Sequence, residues 1–195
     1  GGAAPVVKRL DTFFTHLNIG TVQPYFYVGN EVTMAVPWVY AWAGAPSHTQ
    51  RVLHASLANE FGTGAAGLPG NDDLGAISGW YVWAALGLYP VVPGVSGVAV
   101  SSPQFEKITV RVGQKDGSYR LLHIVAPGAG SSDSASFYVK SLKLNGAPYS
   151  TAWLPFEQIA KGGKLSYAMT ADVSATTWGT DASAMPSFPQ VVSAP

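Results

Sequence analysis

Residues 67–90 read GLPGNDDLGAISGWYVWAALGLYP, with Asp72 and Asp73 side by side between a glycine–proline turn and a run that is almost wholly apolar and aromatic. One carboxylate at the mouth of a buried helix has an ordinary use: it caps free N–H groups and complements the helix dipole. A second is free to take a proton from water or to help hold a hard cation. Another acidic loop, VGNEVTM, carries Asn30 and Glu31. Four of the six tryptophans, Trp38, Trp42, Trp80 and Trp83, lie just downstream of these two loops. Carboxylates framed by indoles suit a sugar site. A ring face such as that of Trp38 stacks on a pyranose, while acids orient hydroxyls, activate water or bind calcium. Plainer readings stand beside these: one aspartate as a cap with a solvated neighbour, Glu31 as a cap or surface charge, and the tryptophans as core.

The remaining polar residues offer less. His48 and His54 are six apart, off one helical face, so they do not form a paired metal site. His16 and His123 stand alone and read as structural, and Asp133, Asp172 and Asp181 read as loop charges. Ser78 and Ser101 lack a G-x-S-x-G setting, and no phosphate loop is present. There are no cysteines, which excludes a disulfide frame and thiolate zinc ligation. Lys plus Arg equals Asp plus Glu at 11 each, so no net field points to nucleic acid or an anionic membrane. Charged residues make up only 11% of the 195, which makes each carboxylate conspicuous, while 47% hydrophobic residues can fill a sizeable core. No apolar run reaches the roughly 18–20 residues of a membrane span.

The elements that must position these residues change character near Pro90. Leu10, Phe13, Phe14 and Leu17 recur at helical spacing over residues 5–18, with Pro5 in a first-turn position. Pro37 opens a short aromatic helix, Trp38 to Ala43, stopped by Gly44. Pro46-Ser47 opens another, in which Ser47 and Gln50 have capping-box spacing and Leu53, Leu57 and Phe61 form one stripe. Leu74 to Leu88 reads as a helix apolar nearly all round, which must be surrounded by protein. Beyond it, Ile108, Val110 and Val112 alternate with Lys107, Thr109 and Arg111 as in a strand. Asp116-Gly117 and Asn145-Gly146 read as hairpin turns, leading into residues 118–125 and following a strand at 137–144. Pro155 to Ala160 reads as a short helix and Lys164 to Met169 as a final strand. The segment after Gly179 is rich in Ser, Ala and Pro and reads as extended. The division is therefore 1–90 helical, 91–178 β-rich and 179–195 an extended tail.

Taken in order, GNEVTMAVPWVYAWAGAPSHTQ, LPGNDDLGAISGWYVWAALGLYPVVPG and VSSPQFEKITV resemble the C-terminal part of glycoside hydrolase family 92, the calcium-dependent, exo-acting α-mannosidases. The resemblance covers about residues 1–170. It implies an α+β chain: the last helices of an (α/α)6 catalytic toroid followed by a β-rich C-terminal region packed against it. It implies inverting hydrolysis of α-mannosides, in which Asp73 acts as general base on water while Asn71 and Asp72 orient that water or the base. Glu31 matches the glutamate that lines the sugar site. Asn30 is a candidate of the same kind, and Asn30 and Glu31 are the candidate calcium ligands. Trp38 is the candidate stacking residue.

Two departures from the family pattern bear on function. The NE motif commonly continues as proline, a small residue and histidines, whereas here it reads Val32-Thr33-Met34-Ala35. The usual general acid lies upstream of any residue in this sequence. The expected partner is therefore the N-terminal remainder of the same protein as a separate chain, joined by a mannose-containing glycan as substrate, in a secreted bacterial setting. The Gly1-Gly2 start likewise reads as a processed or excised piece. Two other functions fit the same residues: a carbohydrate-binding or structural module without catalysis, and a hydrolase of mannose-phosphate linkages, whose good leaving group needs little acid assistance.

Overall fold

The computed structural model describes residues 2–20, 22–130 and 136–187, so Asp133 and the end of the tail lie outside the described residues. The order is helices first and strands second, an α+β chain. Helix α1 (Ala3–Phe13) is shorter than the periodicity predicts. Residues 14–18 leave the helix to meet the chain returning at 26–28: Phe26 N–H donates to Phe13 O (3.0 Å) and Val28 N–H to Leu17 O (3.1 Å). Phe14 sits edge-on to Phe26 at 4.9 Å, so tertiary packing takes the residues that local propensity would have left helical.

A 3-10 turn at Val36–Trp38 runs into α2 (Val39–Trp42), and α3 (Pro46–Asn59) follows with Pro46 in its first turn. The capping box expected at Ser47 and Gln50 does not form: Ala45 is the N-cap, without a side-chain bond. Gln50 is buried instead, and its Oε1 accepts from the backbone N–H of Val139 (3.0 Å), tying α3 to the strands. Asp11 of α1 fastens that helix to the next two. It accepts from Tyr40 Oη (2.9 Å) and Arg51 (3.0 Å) and is bonded to His48 Nδ1 (2.8 Å). Burial pushes the Asp11 carboxyl up, but the bonds from His48 and Tyr40 and the neighbouring positive charges leave it below its ordinary value.

Helix α4 (Ala76–Leu86) is ended by Gly87 in the left-handed conformation. Ile77, Trp80, Ala84 and Ala85 are buried, whereas Val82 is exposed, so the apolar surround expected for this helix is present on one side only.

The strands form two sheets. β1 (Leu88–Tyr89), β2 (Gly97–Val100) and β7 (Trp153–Pro155) make a small antiparallel sheet joined directly to α4. The larger sheet runs in the order β3 (Lys107–Gly113), β4 (Tyr119–Val125), β8 (Gly163–Thr170), β5 (Tyr138–Leu144), β6 (Ala147–Tyr149). Both hairpins turn where the sequence places them, with Asn145 at φ 50° and Gly146 at φ 88° in the second. Pairing of β4 with β8 is parallel, the rest antiparallel. In place of a helix at Pro155 to Ala160 there is a single 3-10 turn, Phe156–Gln158. One apolar core joins helices and strands, from Phe26, Trp38 and Trp80 to Ile124, Leu154 and Leu165. The first part of the tail belongs to it as well, since Trp178 and Met185 are buried and Trp42 Nε1 donates to Pro186 O (2.8 Å). Asp172 and Asp181 each cap a 3-10 turn.

Candidate active site

The two acidic loops touch through their glycines. A Cβ on Gly29 would stand 2.6 Å from Pro69 O, and one on Gly70 would stand 2.7 Å from Gly29 O. No real Cβ tolerates such contacts, so only glycine at both positions lets the backbones meet. Asn30-Glu31 and Asn71-Asp72-Asp73 follow directly, and the contact therefore fixes the distance between the two acid groups. Sequence reasoning missed Gly29 and Gly70. The available signal was the repeated Gly-Asn step ahead of each acid.

Each loop is also anchored to the core behind it. Glu31–Thr33 forms a 3-10 turn, held by Thr33 Oγ1 donating to Tyr27 O (2.7 Å) and Asn30 O (2.8 Å). Buried Trp80 of α4 donates its Nε1–H to Met34 O (3.0 Å), which pins the end of that turn to the helix carrying the second loop.

The neighbouring aspartates have different surroundings. Asp72 caps α4: its Oδ1 accepts from Ser78 N–H (2.8 Å), its Oδ2 is bonded to Ser78 Oγ (3.0 Å), and its carbonyl accepts from Ala76 N–H (2.8 Å). Those bonds satisfy helix N–H groups that have no intrahelical partner. At Asp73 the backbone turns left-handed, with φ 44° there, 59° at Leu74 and 93° at Gly75. For the two residues that carry a Cβ this conformation costs about 1–2 kcal/mol each. The turn leaves the Asp73 side chain exposed, and its backbone carbonyl alone joins the helix entry, accepting from Ala76 N–H (3.2 Å). It also delays the start of α4 from the expected Leu74 to Ala76.

Asp73 meets Glu31 across the loop contact. A hydrogen bond with Asp73, and then the Asp73 charge, raise the Glu31 carboxyl above its ordinary range. Asn71 is exposed and Asn30 half-buried on the same two loops.

Trp38 is placed differently from the sequence expectation. It is fully buried, with its ring stacked on Tyr89 at 5.4 Å, so it has no free face for a sugar. Trp80 is buried too, Trp42 is half-buried, and half-buried Trp83 lines an apolar cavity of about 380 Å³ with Leu86, Val110 and Phe156. An indole has a large apolar surface to bury, and here the core takes that surface.

The site is thus a pair of neighbouring carboxyls and two amides on glycine-joined loops at a helix entry, an arrangement for handling protons and hydroxyl groups. Residues 1–171 match the glycosyl hydrolase family 92 catalytic domain, and the chain belongs to that family. A family GH92 α-mannosidase of Bacteroides thetaiotaomicron superposes with a TM-score of 0.72 at 32% identity, over 85% of this chain and 21% of that one. A family GH92 inverting mannosidase of the same organism gives 0.78 at 27% identity, over 95% of this chain and 26% of that one. Among curated proteins, an uncharacterized secreted glycosidase of Arthroderma benhamiae is 29% identical over 188 residues, 95% of this chain and 22% of that protein. The chain therefore spans about a fifth to a quarter of the length of these relatives. No helix among the described residues is long and apolar enough to cross a membrane.

Proposed function

We propose that the chain is the C-terminal part of an inverting α-mannosidase in which Asp73 is the general base. The carrying observation is the division of labour between the adjacent acids: Asp72 is committed to Ser78, while a strained backbone presents Asp73 to Glu31. Strain held at two adjacent exposed residues, Asp73 and Leu74, is a pointer to function. Asp73 takes a proton from the water that attacks the anomeric carbon, as the bond to the leaving oxygen breaks on the opposite face. Asp72 fixes the helix end on which Asp73 stands, and Asn71 offers an amide to the water.

Glu31 is not the acid of this pair. Acid and base of an inverting enzyme stand about 6.5–9.5 Å apart to admit water, whereas the Glu31 and Asp73 carboxyls are near enough for Asp73 to raise the Glu31 carboxyl. Glu31 instead faces sugar hydroxyls and orients Asp73, and the group that protonates the leaving oxygen comes from the remainder of the protein. The helices are the closing members of an (α/α)6 toroid that the remainder completes, acting outside the cell on mannose-containing glycans.

The donors on the two loops suit calcium in kind, being carboxylate and amide oxygens. Among the described residues no three histidines or acids cluster, so they supply only part of a shell. Asn30 and Glu31 would hold the ion, whose chemistry when bound is to draw vicinal sugar hydroxyls into place.

Replacing Asp73 with Asn in the complete protein tests the reading. Turnover of an α-mannoside should fall by about 10²–10⁴-fold, the usual worth of a general base, with KM nearly unchanged. Turnover close to wild type would overturn it.

A further inference from the structure

The five strands of the larger sheet contain no Asp or Glu, although the chain as a whole balances its charges at 11 of each sign. Register places five of the sheet's seven Lys, Arg and His residues on one face; Arg120, opposite Val112, is on the other, and Lys140 lies in the register shift between Val139 and Ser141. Lys107 lies beside Val125, Val125 beside Ser166 and Ser166 beside Lys143, forming a single row across four strands. The next row joins Thr109, His123 and Lys164, and Arg111 stands opposite Leu121 one step further. Lys107, Arg111, His123, Lys143 and Lys164 are all exposed, whereas the alternate residues Leu122, Ile124, Leu142 and Leu165 are buried. Strands lie about 4.8 Å apart, so Lys107 and Lys143 stand about 14 Å from each other along their row.

None of these lysines or Arg111 has a carboxylate partner, since the ion pairs of the described residues are those of Asp11 with His48 and Arg51. Lysine on a sheet often serves to block edge pairing. That accounts for Lys107 on the edge strand β3 but not for Lys143 and Lys164, whose strands β5 and β8 have neighbours on both sides. The face also carries a ring: Tyr119 is 51% exposed, with the Arg111 guanidinium 5.0 Å from its centroid.

We infer that this face binds an anionic polysaccharide, for which a phosphorylated mannan is the probe, and so holds the substrate chain while its end is processed elsewhere. Unpaired cations at intervals along a flat sheet complement anionic groups at intervals along an extended polymer. Tyr119, opposite Gly113 at the end of the face beyond Arg111, supplies a stacking face for a sugar ring. The choice of a glycan over other polyanions rests on the proposed glycosidase reading.

The test uses the complete protein, a phosphorylated mannan, and the same mannan after enzymatic removal of phosphate. Retention in affinity electrophoresis should be at least about tenfold stronger on the phosphorylated polymer. It should collapse as salt rises from about 0.1 M to about 1 M, where the Debye length shrinks from about 10 Å to about 3 Å. The variant K107T/R111T/K143T/K164T should lose that retention while its melting temperature and its turnover of a small soluble mannoside stay unchanged. The charge-keeping variant K143R/K164R should retain binding and guards against a folding defect. Equal retention of both mannans, no retention of either, or equal affinity for DNA or anionic lipid vesicles would overturn the inference. The soluble-mannoside assay separates the two proposals, because a protein that binds the phosphorylated mannan yet cleaves no mannoside loses the active-site reading alone.

Discussion

The paired loops at Gly29 and Gly70 and the larger sheet use charge on opposite kinds of backbone. In the loops, carboxyls converge where the chain is least regular, through a glycine-to-glycine contact and two left-handed residues bearing side chains. On the sheet, cations repeat on a pleat whose register is regular through Lys107, Lys143 and Lys164 and shifts between Val139 and Ser141. Regular structure repeats its spacing and keeps like groups apart, which suits contact with a polymer. Bringing two acids beside each other here involves leaving regular structure, with a cost in strain. On the proposed reading, irregular backbone marks the place for chemistry and the pleat a place for binding.

The sharpest way to break that distinction is at Asp73. Besides the loss of turnover, Asp73→Asn removes the carboxyl whose hydrogen bonding, and then charge, hold the Glu31 carboxyl up, so the Glu31 pKa should fall toward its ordinary range. Nuclear magnetic resonance titration of Glu31 reads this without substrate. A Glu31 pKa that does not move would mean that the loops do not meet as described.

Next in size is the glycine contact. Gly70→Ala places a Cβ 2.7 Å from Gly29 O and 2.9 Å from its Cα, so the loops must part. Turnover should drop by at least about tenfold, because a displacement of about 1 Å at reacting groups costs up to about 10²-fold. Gly64→Ala is the control, since a Cβ there has open space within 4 Å. Equal activity of the two variants would show that the acid pair does not depend on the contact.

What could be read from the sequence follows the same division. The helix-then-strand order, both hairpins and the two acidic loops were legible because each rests on local signals: apolar period, Asp-Gly and Asn-Gly steps, and rare charges. Burial of Trp38 was not, since an indole next to an acidic loop in sequence can face either way. The Gly29–Gly70 contact and the parallel pairing of β4 with β8 join residues some forty positions apart, and periodicity carries no information at that range. The cationic face was hidden for the same reason: Lys107, Lys143 and Lys164 look unrelated until the register aligns them.

Asp72→Ala should act mainly on stability. Losing the bonds to Ser78 N–H and Oγ costs about 0.5–2 kcal/mol, the range for a helix cap, and appears in a denaturant midpoint. Turnover should suffer less than in Asp73→Asn when both are assayed well below the unfolding transition. If Asp72→Ala instead matches the kinetic defect of Asp73→Asn at unchanged stability, the two acids share the chemistry and the contrast between cap and base fails.

The smallest effect belongs to Leu74, which is fully exposed at φ 59°. A leucine there gains nothing from burial within this chain and bears the left-handed cost of about 1–2 kcal/mol. Asn tolerates that conformation far better, so Leu74→Asn should stabilise the described fold by up to about 1 kcal/mol. Thermal unfolding of the complete protein decides what the side chain is for. A gain means that Leu74 is a by-product of the turn that presents Asp73, and the strain is there for the neighbouring acid alone. A loss means that the remainder of the protein covers Leu74, so the irregular backbone serves a packing contact as well as the acid pair.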